Sequence, residues 1–170
     1  TAHQWWGEGM APANYRERWL SEAWAQYASA LWLRERVGEG AFRSMMDRMA
    51  RWAQRHDAAG PIHLGHRLGH LKQDPRMFRA VVYDKGAWVL HMLRGRVGDE
   101  AFRKWAARFY REYRGKQASF ADVRKSLEAV AGQDLGRFFA DHVEKAGAAR
   151  LQASLSDLRE DATGLPSPAE

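Results

Sequence analysis

A single carboxylate stands out in the most apolar stretch of the chain. Of the fifteen residues from Trp19 to Leu33, eleven are apolar and Glu22 is the only charged one. A helix that is apolar almost all round is expected to lie buried inside a larger body. A buried carboxylate needs a cation, a set of donors or a metal, because leaving it unpaired is costly. Glu22 is therefore interpreted either as the partner of a buried arginine or as a metal ligand or catalytic acid.

An imidazole lies upstream of this carboxylate. His3 begins the run His-Gln-Trp-Trp-Gly, and 18 residues separate it from Glu22. In one class of zinc site, two histidines four residues apart on a helix bind the ion together with a glutamate from the following helix. A histidine near a helix end is also commonly satisfied by local hydrogen bonds, so this pair indicates a metal site only together with the sequence around it.

Three short segments carry the recognisable pattern of the chain. They are His3-Gln-Trp-Trp-Gly7, Trp19-Leu-Ser-Glu-Ala-Trp-Ala-Gln-Tyr27 and Tyr83-Asp-Lys-Gly-Ala87. In this order they resemble the zinc aminopeptidases of the membrane alanyl aminopeptidase family, which share the gluzincin group with leukotriene hydrolase. That family has His-Glu-x-x-His-Gln-Trp-Phe/Trp-Gly, then Asn-Glu-Gly-Phe-Ala, then Tyr-x-Lys-Gly-Ala. The resemblance extends over about residues 1–145, including Gly132-Gln-Asp-Leu-Gly-Arg-Phe-Phe139.

The resemblance implies a role for each of three residues. His3 is the second zinc-binding histidine, Glu22 is the zinc-binding carboxylate, and Tyr83 is the catalytic phenol that donates to the oxyanion of the tetrahedral intermediate. It further implies that Lys85 and Gly86 shape the helix that presents Tyr83. Catalytic zinc takes three protein ligands and an open position for water, and metal and phenol together stabilise charge on the carbonyl oxygen. By itself, Tyr83 is typical of an ordinary core aromatic.

The chain departs from the family pattern in several places. Ser21 and Ala23 replace the usual Asn and Gly, and Glu8 stands where Asn is common. The pattern's first histidine, its general-base glutamate and the Gly-x-Met-Glu-Asn stretch that holds the substrate's amino group would all precede Thr1. We therefore expect a fragment of a zinc-dependent aminopeptidase, which removes N-terminal residues from peptides by zinc-activated water. In isolation it is expected to be inactive, since it keeps two of three zinc ligands and no base.

Helical periodicity runs along the sequence, and no stretch alternates with a two-residue period. The predicted fold is all-α, a multi-helix lobe of a thermolysin-like zinc metallopeptidase catalytic domain. Residues 1–147 are expected to form this lobe and residues 148–170 a tail or linker. A capping box of Ser119 and Asp122 is expected to begin one helix. The predicted helices cover about residues 1–6, 17–37, 41–56, 76–97, 99–114, 120–131 and 134–145.

Composition excludes several other classes of protein. The chain has 170 residues and no cysteine, which excludes a disulfide scaffold, an iron–sulfur cluster and a thiolate zinc site. No apolar run approaches the roughly 18 residues that a membrane span requires. The net charge of +6 comes from basic residues interleaved with acidic ones, which is typical of a solvated helical surface. The expected partners are a peptide with a free N-terminus and the N-terminal remainder of the same catalytic domain, with no nucleic acid.

Two alternative functions stay open from the sequence. One is a helical interaction module derived from such an enzyme, with catalysis lost. The other is a basic helical domain that binds nucleic acid, although Trp105, Phe109 and Tyr110 occur at the helical spacing of a core.

A group of three histidines is a weaker metal signal. His63, His66 and His70 lie three and four residues apart, but nearby glycines and a proline weaken a helix there. We expect a solvent-facing or substrate-channel loop rather than a second metal site.

Overall fold

The computed structural model describes residues 2–70 and 75–146, and most of them are helical. Short 3-10 helices cover Ala2–Gln4, Tyr15–Arg18, Asp57–Ala59 and Ile62–His70, and π-helices cover Arg79–Lys85 and Ala140–Glu144. Two short strands, β1 (Ala11–Pro12) and β2 (Gln117–Ala118), pair in parallel. The α-helices are α1 (Trp19–Val37), α2 (Glu39–Arg55), α3 (Pro75–Phe78), α4 (Gly86–Val97), α5 (Asp99–Tyr113), α6 (Phe120–Ala131) and α7 (Gly136–Phe139).

The predicted all-α class is confirmed, and α1, α2, α5 and α6 lie close to their predicted bounds. The helix predicted over residues 1–6 is only the 3-10 helix Ala2–Gln4, and the one predicted over residues 134–145 is divided into α7 and the π-helix Ala140–Glu144. The capping box is present, with Asp122 N donating to Ser119 Oγ and Ser119 N donating to Asp122 Oδ2. None of the described helices has the length and apolar character that crossing a membrane requires. The predicted tail, residues 148–170, lies outside the described residues.

Helix α1 is the central helix of the fold. It packs against α2, α4 and the π-helix Arg79–Lys85. Every residue from Trp19 to Ala25 is buried, including Glu22. The first half of the apolar stretch is therefore enclosed as predicted for a helix without a polar face. The second half is not, since Trp32 is 61 % exposed.

Large aromatic rings fill the space between α1 and α5. Trp24 stacks on Trp6 with ring centroids 4.0 Å apart, and on its other side it contacts Phe102 and Trp105. Trp105 Nε1 donates to Ser126 Oγ of α6 at 2.8 Å, which satisfies the only polar atom of a fully buried indole. Trp105 therefore belongs to the core and is not an exposed stacking platform.

The segment with the three histidines differs from the prediction, because Ile62–His70 is a 3-10 helix rather than a loop. A 3-10 helix has three residues per turn, so Ile62, Gly65 and Leu68 share one face, and all three are buried. Gly65 has no room for a side chain, since an added Cβ would come within 2.6 Å of Val82 Cγ2. The sequence signal for this element was that apolar or small residues recur at every third position.

The continuous helix predicted over residues 76–97 is also interrupted. The chain passes from α3 into the π-helix Arg79–Lys85 and then into α4. π-Helical turns are rare and often occur at functional sites. This one carries Tyr83, the residue for which the sequence predicts a catalytic role.

Candidate metal and catalytic site

The side chains of His3 and Glu22 meet at one edge of α1. His3 Nε2 lies 3.3 Å from Glu22 Oε2; the carboxylate side chain is 8 % exposed and the imidazole 47 % exposed. Among the described residues, no donor forms a hydrogen bond with Glu22 Oε2, although this oxygen is buried. The structure thus brings the two predicted metal ligands together around an unsatisfied carboxylate oxygen.

A backbone carbonyl selects the tautomer of the neutral imidazole. His3 Nδ1 lies 3.2 Å from the Trp6 carbonyl oxygen. Because a carbonyl oxygen only accepts, the neutral imidazole carries its proton on Nδ1 and turns the lone pair of Nε2 toward Glu22. A ring whose other nitrogen donates to a carbonyl is the usual arrangement of a metal-binding histidine. In this tautomer two lone-pair atoms face each other, an arrangement that a bound cation would stabilise.

The turn that holds His3 depends on Gly7 and on the Trp6 ring. Gly7 has a φ of 130°, a backbone conformation that side chains disfavour. Its added Cβ would lie 3.4 Å from His3 Nδ1. Trp6 stacks against Trp24, which follows Glu22 by two residues on α1. The aromatic stack therefore fixes the His3 turn beside the carboxylate.

Arg18 is the arginine that pairs with Glu22 among the described residues. Its Nε lies 3.9 Å from Glu22 Oε1, and its side chain is 60 % exposed. A long contact from a solvated guanidinium contributes little, and it leaves the other oxygen of Glu22 directed at His3. The interpretation of Glu22 as the partner of a buried arginine is thus weakly supported by this geometry.

The phenol of Tyr83 reaches the same carboxylate from the π-helix Arg79–Lys85. It is half-buried and lies close enough to Glu22 for that carboxylate to act on its pKa. Burial and, next, the neighbouring Glu22 raise the pKa of Tyr83 to about 12. The phenol is therefore protonated at neutral pH and available as a donor. All three residues predicted to form the site lie together.

Two buried contacts hold the segment that presents Tyr83. Lys85 is paired with Asp57, and both side chains are almost fully buried. The backbone of Gly86 lies against Ala23 of α1. Asp57 was not found from the sequence, although a lysine inside the apolar run AVVYDKGAWVL signals that some buried anion must accompany it. These contacts explain why a lysine and a glycine stand directly after Asp84: Lys85 pairs with a buried carboxylate, and Gly86 allows the two helices to approach each other.

The geometry of His3 and Glu22 fits two ligands of a tetrahedral zinc ion. With metal–ligand distances of about 2.0–2.2 Å and a tetrahedral angle, two such ligands lie about 3.4 Å apart, close to the observed 3.3 Å. Within residues 2–70 and 75–146, no group of three or more His, Cys, Asp or Glu side chains forms a possible metal site. His3 and Glu22 thus make up two of the three protein ligands that a catalytic zinc takes.

The histidines of the 3-10 helix Ile62–His70 have other surroundings. His63 Nδ1 lies 3.2 Å from the Val143 carbonyl oxygen, and His66 packs edge-on against Tyr15. In the part of the chain that the structure describes, neither belongs to a cluster of three potential metal ligands.

Comparison with known proteins settles the family. The profile described as the peptidase family M1 domain matches residues 1–142, which is most of the chain. The chain belongs to peptidase family M1. Its match includes all three segments that contain His3, Glu22 and Tyr83.

Curated relatives of this M1 chain are aminopeptidases by name. Aminopeptidase N of Streptomyces lividans is 26 % identical over 183 residues, covering 99 % of this chain and 21 % of the relative. Probable aminopeptidase 1 of Saccharolobus solfataricus is 25 % identical, covering 86 % of this chain and 19 % of the relative. The M1 chain thus spans about a fifth of the length of these proteins.

Solved structures agree with this M1 fold. A mutant M1 zinc metallopeptidase from Deinococcus radiodurans, bound to a Tyr-Ser-Ala substrate, has a TM-score of 0.68 and 26 % identity, covering 86 % of this chain and 32 % of that one. The same metallopeptidase without the mutation has a TM-score of 0.62 and 27 % identity, with 86 % and 31 % coverage. The predicted helical lobe of a zinc metallopeptidase is therefore confirmed as the fold.

Proposed function

We propose that this chain is the helical part of the catalytic domain of a zinc aminopeptidase. His3 and Glu22 hold zinc, and Tyr83 is the catalytic phenol. The observation that carries the proposal is the 3.3 Å approach of His3 Nε2 to the buried, donor-free Oε2 of Glu22. The names of the M1 relatives support an aminopeptidase as the activity.

Zinc, when bound, supplies a Lewis acid that polarises a carbonyl group and lowers the pKa of water. The residues of the chain prepare the site for it. The Trp6 carbonyl keeps the proton of His3 on Nδ1, and Glu22 brings a negative charge into a buried position. Tyr83 remains protonated and donates to the oxygen on which negative charge develops, a contact worth ~3–4 kcal/mol for a well-placed donor.

We propose that the remaining components of the site lie outside this chain. A third zinc ligand and a general base are supplied by the N-terminal remainder of the same catalytic domain. The substrate is a peptide with a free N-terminus. Residues 1–147 form the helical lobe, residues 148–170 a tail or linker, and the isolated 170-residue chain is inactive because its ligand set is incomplete.

The test uses the complete protein that carries this chain. We expect it to release the first residue of a tripeptide, to lose this activity on chelation, and to regain it when zinc is added back. The N-acetylated tripeptide is the matched control and should resist cleavage. Cleavage that survives complete removal of metal would contradict the proposal. A zinc-loaded protein that cleaves no peptide would instead favour a non-catalytic interaction module.

A further inference from the structure

A cavity of about 350 Å³ opens beside the candidate site, between α1, α2 and the π-helix Arg79–Lys85. Its volume lies at the lower end of the range for small-ligand pockets. Two lining residues connect it to the site: Gln26 follows Glu22 by one helical turn on α1, and Asp84 follows Tyr83 directly. The cavity is therefore next to the proposed metal ligands while sharing none of them.

The polar part of the cavity wall carries an excess of positive charge. Arg48 of α2 and Arg79 of the π-helix both line it and are exposed at its rim. Among the described residues, neither guanidinium has a carboxylate oxygen within 4 Å. Asp84 is the one lining carboxylate; it is buried and accepts a hydrogen bond from Gln26 Nε2 at 3.2 Å. Arg76 of α3 is a third lining arginine, so the guanidinium groups outnumber the one lining carboxylate.

The apolar part of the wall indicates what kind of anion fits. Met49 is buried, and Met45 and Trp52 are half-buried along α2. A small inorganic ion would gain nothing from these side chains. An organic carboxylate would place its carbon atoms against them and its oxygens at the arginines, whose planar groups match a carboxylate.

The position of the cavity suggests which part of a peptide reaches it. Four residues of helix advance about 6 Å, and an extended peptide advances about 3.3–3.6 Å per residue. The distance from Glu22 to the start of the cavity is therefore about the length of two residues of an extended peptide. An aminopeptidase has one residue on the amino side of the bond it cleaves, so a group two residues away belongs to the carboxyl side.

We propose that this cavity is a carboxylate subsite, in which Arg48 and Arg79 bind a carboxylate of the peptide on the carboxyl side of the cleaved bond. This inference rests on the proposed aminopeptidase function. In a tripeptide the bound group is the C-terminal carboxylate, whereas in a longer peptide it is an acidic side chain at the third residue. Tripeptides with a free C-terminus and longer peptides with an acidic third residue are thus the preferred substrates.

The test compares matched peptides on the complete, zinc-loaded protein. Ala-Ala-Ala is compared with its C-terminal amide, and Ala-Ala-Glu-Ala amide with Ala-Ala-Gln-Ala amide, which separates the two sources of carboxylate. We expect the carboxylate peptide of at least one pair to have a KM about five-fold lower, with kcat changed less than about two-fold. One exposed ion pair is worth up to about 1 kcal/mol, which corresponds to that ratio.

Variants of Arg48 assign the preference to the cavity. Arg48→Gln should bring the KM ratio close to one, and Arg48→Glu should reverse it, because a carboxylate then meets a like charge. Arg108→Gln is the control: Arg108 is exposed on α5, outside the cavity lining, and its loss changes the net charge equally. It should keep the wild-type ratio. Equal KM values within both wild-type pairs, or an unchanged ratio in both Arg48 variants, would overturn the subsite.

A second measurement separates this inference from the proposed function. If the complete protein cleaves no peptide, it is titrated by calorimetry with acetyl-Ala-Ala-Ala and with the corresponding amide. Tighter binding of the carboxylate form, abolished by Arg48→Gln and kept by Arg108→Gln, would support a carboxylate site in a protein that is not an aminopeptidase. Equal binding of both forms, or no binding, would reject the cavity as a carboxylate site.

Discussion

Gly86 of α4 and Ala23 of α1 lie against each other with no room for a side chain at position 86. A Cβ built on Gly86 would lie 2.6 Å from Ala23 Cβ, a separation that real side chains do not adopt. Ala23 adjoins the proposed metal ligand Glu22, and Gly86 follows Tyr83 by three residues. The contact therefore sets the spacing between carboxylate and phenol. It also explains how the chain tolerates Ala at position 23, where the family pattern has Gly: the missing side chain of Gly86 makes room for the methyl group.

The first prediction concerns this helix contact. Gly86→Ala should destabilise the protein by about 1–2 kcal/mol, because overpacking costs ~1–3 kcal/mol while replacing a helical glycine returns up to about 1 kcal/mol. Adding Ala23→Gly should restore part of the loss. Thermal unfolding of the single and double variants measures both effects.

A glycine with free space around it is the control for that experiment. Gly40 lies in α2, and an added Cβ there would have no neighbour within 4 Å. Gly40→Ala should therefore raise the unfolding temperature. If Gly86→Ala is as stabilising as Gly40→Ala, the close approach of α1 and α4 does not exist.

The second prediction concerns metal binding by the complete protein. Glu22→Gln keeps the size of the side chain but removes its charge, and it should lower zinc affinity by about 100-fold or more, since ligands outside the first coordination sphere already account for 10–100-fold. Zinc content after dialysis against a weak chelator measures the effect. Glu8→Gln, at an exposed residue near the same turn, should retain the metal. Stoichiometric zinc in Glu22→Gln would contradict the assignment of this residue as a ligand.

The third prediction concerns stability in acid. His91 of α4 has its Nδ1 3.3 Å from the Tyr27 hydroxyl, and burial, followed by the nearby Arg94 cation, lowers its pKa to about 4. An unfolded histidine titrates near pH 6.5, so protonation favours the unfolded chain. The stability that neutral His91 contributes is complete above about pH 6.5 and is lost as the pH falls toward about 4.

The comparison of wild type with His91→Gln isolates this effect. Their difference in unfolding free energy should be constant above about pH 7.5 and should shift by about 3 kcal/mol toward the variant as the pH falls to about 4. Urea unfolding at a series of pH values gives the difference. Parallel curves over the whole range would mean that the imidazole titrates normally in the folded protein.

Much of the helical framework can be predicted from local signals. The apolar stretch of α1, the periodicity of α5 and the capping box of Ser119 and Asp122 each depend on residues close together in the chain. The π-helix Arg79–Lys85 cannot be predicted in this way, because its buried face is determined by contacts with α1 and α2 that are distant in sequence.

In the candidate site, too, some residues can be predicted from the sequence and others cannot. His3, Glu22 and Tyr83 can be predicted because they occur in a recognisable order, and Glu22 also because a carboxylate is out of place in an apolar helix. The partners that support them cannot be predicted. The sequence shows that buried Lys85 and Asp84 need partners, but only the fold identifies Asp57 and Gln26.

The last prediction concerns the phenol of Tyr83 in the complete protein. Tyr83→Phe removes only the hydroxyl group, which is not itself one of the two proposed metal ligands, so zinc content should be unchanged. Turnover should fall at least tenfold and by as much as about 10²–10³-fold, as for other oxyanion donors, with a much smaller change in KM. Tyr113→Phe, at the end of α5 where the ring stacks on Phe109, is the matched control and should keep wild-type turnover. Equal kcat values for Tyr83→Phe and wild type would mean that the hydroxyl takes no part in stabilising the developing charge.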